Sequence, residues 1–230
     1  MKYDCNGFGL IELMVAMTLG LLMSLALVQL FISSKDTYLS QTASANLQED
    51  ARFVLNKIAQ DVRMVGTFGC LAAVTDASDK GDFAAAFKAP ITWQPGSRAL
   101  TLITAPVDRL QGEPTWTVQT DCSSFAEAFS QDKGTGELRF PVHQQVYAYN
   151  ARRAELTLNN RALISHVSDF NVLFGVASGR FESAIARYVE NPGDPALIRS
   201  VRVNLVLADP AGRVKEQTYS VVSALRNRLP

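Results

Sequence analysis

An α+β fold is predicted, and three patterns along the chain predict it. Residues Phe8 to Ile32 form an almost unbroken apolar run that holds a single carboxylate, Glu12. The stretch that follows carries apolar residues at helical spacing as far as Val65. Beyond it the pattern changes to short runs of period two, separated by turn residues. One long helix followed by strands, with no helical periods between them, predicts an antiparallel sheet packed on that helix.

The apolar run comes first. As a helix, Phe8 to Ile32 is about 37 Å long, against a hydrocarbon core of about 30 Å. A secretory signal peptide has a shorter apolar core and a small-residue cleavage site after it. This run is too long, and no such site lies within or just after it. A plain membrane anchor fits the length but leaves Glu12 without a role. A carboxylate in that position costs roughly 2.5–3.5 kcal/mol on insertion scales, so it should be paired or functional.

The helix continues past the membrane. Leu47, Ala51, Val54, Leu55, Ile58, Val62 and Val65 make one apolar stripe, and Arg52, Asn56, Gln60 and Arg63 lie opposite. Gly and Pro are absent from Leu21 to Val65, and Gly66 and Gly69 then break the helix. Phe53 is out of place. It points about 210° away from the mean of the stripe at 100° per residue. It is a candidate contact to a neighbouring subunit's helix, and the alternative is packing on a nearby loop.

Strands are expected at Leu100–Thr104, Thr115–Gln119, Gln144–Tyr149, Glu155–Leu158, Asp169–Val176, Val201–Leu207 and Thr218–Leu225. In the sixth of these, Val201, Val203, Leu205 and Leu207 share one face. Asp209-Pro210-Ala211-Gly212 is a turn signal between the last two strands. Ala151-Arg152-Arg153 and Asn159-Asn160 read as tight connections.

Composition excludes several function classes. The 230 residues include 22 basic and 22 acidic side chains, for zero formal net charge, with no basic face to attract nucleic acid. The segment Asp76-Ala77-Ser78-Asp79-Lys80-Gly81-Asp82 offers oxygens, but Lys80 and the missing distal Glu argue against a calcium loop. No metal site or cofactor is expected. His143 and His166 stand in no nucleophile–base arrangement, and no phosphate-cradling or nucleophile-elbow motif appears, so no enzyme is expected.

Gly7-Phe8-x-x-x-Glu12 at the mouth of a spanning helix resembles the class III leader of type IV prepilins and type II secretion pseudopilins. The resemblance implies that a prepilin peptidase cuts after Gly7 and methylates the new N-terminus at Phe8. It implies that Glu12 pairs with a neighbouring subunit's N-terminal ammonium inside a helical bundle, where neither charge could stand alone. The expected organisation is a leader (1–7), a membrane-spanning assembly helix (8–32), its amphipathic continuation (33–65) and a periplasmic β-rich domain (66–230).

Later segments resemble the PilW minor pilins: Thr37-Tyr38, Leu47 to Phe53, Asp61 to Cys70, Val167 to Gly175 and Ser223 to Arg228. That resemblance implies a low-abundance subunit near a pilus tip. Its partners would be other minor pilins, the major pilin, a tip adhesin and the inner-membrane assembly machinery. A minor pseudopilin is the alternative, and a membrane-anchored periplasmic binding protein or enzyme is a third reading. Cys5 would be lost with the leader, leaving Cys70 and Cys122 as a pair 52 residues apart. In a periplasmic domain they are expected to form a disulfide worth roughly 4 kcal/mol of loop entropy. Two buried thiols are the alternative.

Overall fold

The computed structural model describes residues 9–71, 73–105, 112–133, 138–227 and 229. Its first element is α1 (Leu10–Met64), a 55-residue helix. Val65 is extended and Gly66 has φ 76°, a conformation that glycine reaches with the least strain, so the helix ends there. All seven residues of the predicted stripe are buried. Arg52, Asn56, Gln60 and Arg63 are exposed, as the opposite face requires.

The strands among the described residues form two sheets. The first contains β1 (Thr75–Asp76), β2 (Ile91–Gln94), β3 (Ala99–Thr104), β4 (Trp116–Thr120), β5 (Ala126–Ser130), β6 (Leu138–Asn150), β7 (Glu155–Leu158) and β8 (Arg161–Ser165). Its order is β1-β5-β4-β6-β3-β2, with β7 paired to β6 and β8. The pairs are antiparallel except β1 with β5. The second contains β9 (Val167–Val176), β10 (Arg187–Val189), β11 (Ile198–Leu207) and β12 (Gln217–Ala224), in the antiparallel order β10-β9-β11-β12. All seven predicted strands are present, with ends shifted by a few residues or, in β6, extended.

The interior divides into two cores. In the larger, the α1 stripe packs against Leu100, Leu102 and Tyr147 of the first sheet and Phe170, Val172, Val203 and Leu205 of the second. The helix therefore closes a wedge between the sheets. Strand β12 runs in the same direction as α1: Gln217 Nε2 donates to Ser44 Oγ at 3.2 Å, and Ser223 Oγ to the Ala59 carbonyl at 3.1 Å. The smaller core lies beyond the helix end, around Phe68, Trp116, Val118 and Val142.

One departure from the expected strand succession sits in that smaller core. A short helix, α2 (Phe83–Lys88), precedes β2, and its Phe83 is wholly buried. Phe83 meets Phe68 and Trp116 edge to face, at centroid distances of 5.9 and 5.7 Å. Six residues are too few to show helical periodicity. The aromatic cluster they complete comes from distant parts of the chain.

Candidate functional site

The N-terminal half of α1 is the first candidate. Glu12 occupies its first turn, and Oε2 accepts a hydrogen bond from the Gly9 amide at 2.9 Å. That amide begins the helix, and the amides of Glu12 and Leu13 in turn donate to the Gly9 carbonyl. The carboxylate thus satisfies one of the orphan donors of a helix start, at the positive end of the helix dipole. Gly7 and Phe8, the expected processing pair, lie outside the described residues, as does Cys5.

Nothing among the described residues covers this half. Leu10 is 76% exposed and Phe31 71%, and the residues between them are exposed as well. The helix is long and apolar enough to cross a membrane, by length and composition. An apolar surface this long does not remain in water, so lipid or other helices must cover it.

Phe53 lies on the face of α1 away from the sheets, 57% exposed, and Tyr38 lies nearer the apolar half at 66%. On the opposite face stands a carboxylate the stripe pattern passed over. Asp61 is wholly buried between Ile58 and Val62. Its oxygens accept from Lys57 Nζ at 2.7 and 2.8 Å and from the Tyr147 hydroxyl at 2.6 Å. The signal was available, since position 61 follows Ile58 by three and Val54 by seven, which places an acid on the buried face.

This cluster joins α1 to β6. Burial, reinforced by the Asp61 charge and its hydrogen bond, pushes the Tyr147 phenol well above its ordinary range. His143, on the same strand, is held below its ordinary value. Burial is the main cause and the Lys57 charge adds to it, while Asp61 works against both. Lys57, Asp61 and Tyr147 are spent on holding helix to sheet.

The segment after α1 is stapled to the loop after β4. Cys70 and Cys122 form a disulfide with Cα atoms 5.5 Å apart, and both residues are exposed, unlike buried thiols. The loop is held by Asp121, whose carboxylate accepts from the amides of Ser123, Ser124 and Phe125 and from the Ser124 hydroxyl. Those bonds hold the Asp121 carboxyl well below its ordinary range.

The acidic segment from Asp76 to Asp82 is likewise committed internally. Asp76 accepts from Ser78 and from the Ala84 amide, Asp79 pairs with Lys133, and Asp82 accepts from Trp116 Nε1 at 2.8 Å. Among the described residues no group of three or more His, Cys, Asp or Glu could hold a metal ion.

Residues 2–28 match the family model described as the prokaryotic N-terminal methylation motif. The motif marks a type IV pilin- or pseudopilin-like prepilin, a structural class of protein whose partners are those of pilus-type assembly. Neither the curated proteins nor the solved structures gave a match.

Proposed function

We propose that this chain is a minor pilin that helps initiate type IV pilus assembly and sits at or near the pilus tip. Its partners are other minor pilins, the major pilin and a tip adhesin. In this reading the prepilin peptidase removes residues 1–7 and methylates Phe8. The helix 8–32 holds the chain in the inner membrane with residues 66–230 in the periplasm, and the assembly machinery then transfers it into the fibre.

The observation that carries this reading is the uncovered half of α1 with Glu12 at its mouth, in a segment that matches the methylation motif. Glu12 reaches back to Gly9, one residue beyond the proposed mature N-terminus. The same carboxylate can therefore serve an ammonium of its own chain before assembly and a neighbour's ammonium within the bundle.

A minor pseudopilin of type II secretion shares this motif and is the second reading. Deleting the chain separates the two. Loss of surface pili with export intact supports the first, and loss of protein export with pili intact supports the second.

A further inference from the structure

Strand β12 ends the second sheet, and it is built unlike the other outer strands. Strands β1, β2, β8 and β10 have two to five residues, whereas β12 has eight. Exposed edges are usually blunted by charged residues, Pro or bulges. Gln217–Ala224 contains no charged residue and no Pro. Its pairing with β11 has no register shift, while that of β11 with β9 has two.

The open side of this edge can be assigned residue by residue. The Leu225 amide donates to the Arg199 carbonyl at 2.9 Å. By alternation along the antiparallel pair, the amides of Tyr219, Val221 and Ser223 also face β11. Those of Thr218, Ser220, Val222 and Ala224 face outward with their carbonyls. All four residues are exposed, and among the described residues no strand pairs with that side. Such a row is a template for one more strand.

The edge leads into a groove. Gln60, Arg63 and Met64 of α1 and Ala224, Leu225 and Arg226 line a cavity of about 420 Å³. Met64, Ala224 and Leu225 give it apolar surface. Arg63 and Arg226 are exposed beside it, and neither has an ion pair among the described residues. The edge therefore asks for a peptide backbone, the groove for an apolar side chain and the two arginines for a carboxylate.

Two other occupants fit poorly. Met64 stands about 48 Å along the helix from Ile32, far from lipid that holds the apolar half. A second copy of this chain fails in either direction. Because β12 runs the same way as α1, antiparallel pairing of two copies would point their apolar halves in opposite directions. Parallel pairing would set Arg63 and Arg226 beside the same arginines of the copy, where like charges repel.

We propose that β12 is a docking edge for an extended segment of a different protein subunit. The segment adds to the sheet as a strand beyond β12, seats an apolar side chain in the groove and brings a carboxylate to Arg63 and Arg226. The inference rests on the reading of the chain as a co-assembling subunit, which supplies the source of that segment.

The test is a benzophenone-bearing amino acid at position 222 of the full-length chain, irradiated in the cells that produce it, with the adduct peptide sequenced. The expected adduct joins one segment of one other protein, and that segment contains Asp or Glu. Amide exchange over 217–224 should be slower in the copurified complex than in the isolated chain in detergent. Ser220→Pro removes an outward amide that the fold itself does not use, and should lower the adduct at least about tenfold. Ser220→Lys places a charge on the edge and should do the same, with thermal unfolding showing which variants fold. Arg63→Glu with Arg226→Glu should lower the adduct about fivefold or more. No adduct, adducts only to lipid, or an adduct to β12 of a second copy would overturn the inference. So would an adduct that survives the Ser220 changes in a folded chain, or one indifferent to the arginine reversal. If the chain is cut after Gly7 and needed for filaments, such a result removes the docking edge alone. If the chain is never cut, the assembly reading falls as well.

Discussion

The two halves of α1 share one backbone and have opposite surroundings. Between Leu10 and Ile32 no residue is buried, whereas Leu47, Ala51, Val54, Leu55, Ile58 and Val62 are nearly inaccessible. Each half also carries a carboxylate in an apolar setting. Asp61 is answered within the domain by Lys57 and Tyr147, while Glu12 has the Gly9 amide. Folding completes the second half and leaves the first unfinished. Among the described residues nothing completes the first half, which is what the proposed assembly helix requires.

The sharpest way to break this comparison is to remove the first half's charge. Glu12→Val should leave processing, insertion and the folded domain intact yet sharply reduce copurification with partner subunits; wild-type recovery would mean that Glu12 has no pairing role. The converse substitution is Asp61→Ala. It strands the Tyr147 hydroxyl in the core and should cost about 3 kcal/mol of stability or more. Thermal unfolding of the full chain in detergent would measure that loss, with membrane insertion unchanged.

A somewhat smaller effect is expected at the staple. Cys70→Ser with Cys122→Ser should cost about 2–4 kcal/mol, read from the same unfolding curve, and leave the apolar half unaffected. The smallest concerns His143. Its folded pKa lies below the ordinary 6.5, so between the two values the unfolded chain binds more protons than the folded one. Stability should therefore fall as pH drops below about 6.5, and His143→Gln should flatten that slope. An unchanged slope would remove His143 from the account.

Legibility in the sequence followed periodicity. The stripe from Leu47 to Val65 could be read because seven apolar positions repeat on one helical face, and β11 because Val201, Val203, Leu205 and Leu207 alternate. Strands β1, β2, β5, β8 and β10 could not. They have five residues or fewer, and segments such as Ala126-Glu127-Ala128-Phe129-Ser130 become strands through their neighbours rather than through propensity. Of the site, Glu12 was legible because a lone acid in an apolar run has few explanations. Asp61 was within reach of the same argument. Tyr147 was not, because nothing local marks a phenol that bonds a carboxylate 86 residues away.

The central claim is that the apolar half of α1 is an assembly surface exposed by a cut at its start. The mass and N-terminal sequence of the mature protein, isolated from membranes, test it most directly. A chain beginning at methylated Phe8, and an uncut precursor when Gly7 is replaced by a bulkier residue, is the predicted result. A mature chain that begins at Met1, or one cut beyond Ile32 so that the helix is lost, would contradict it.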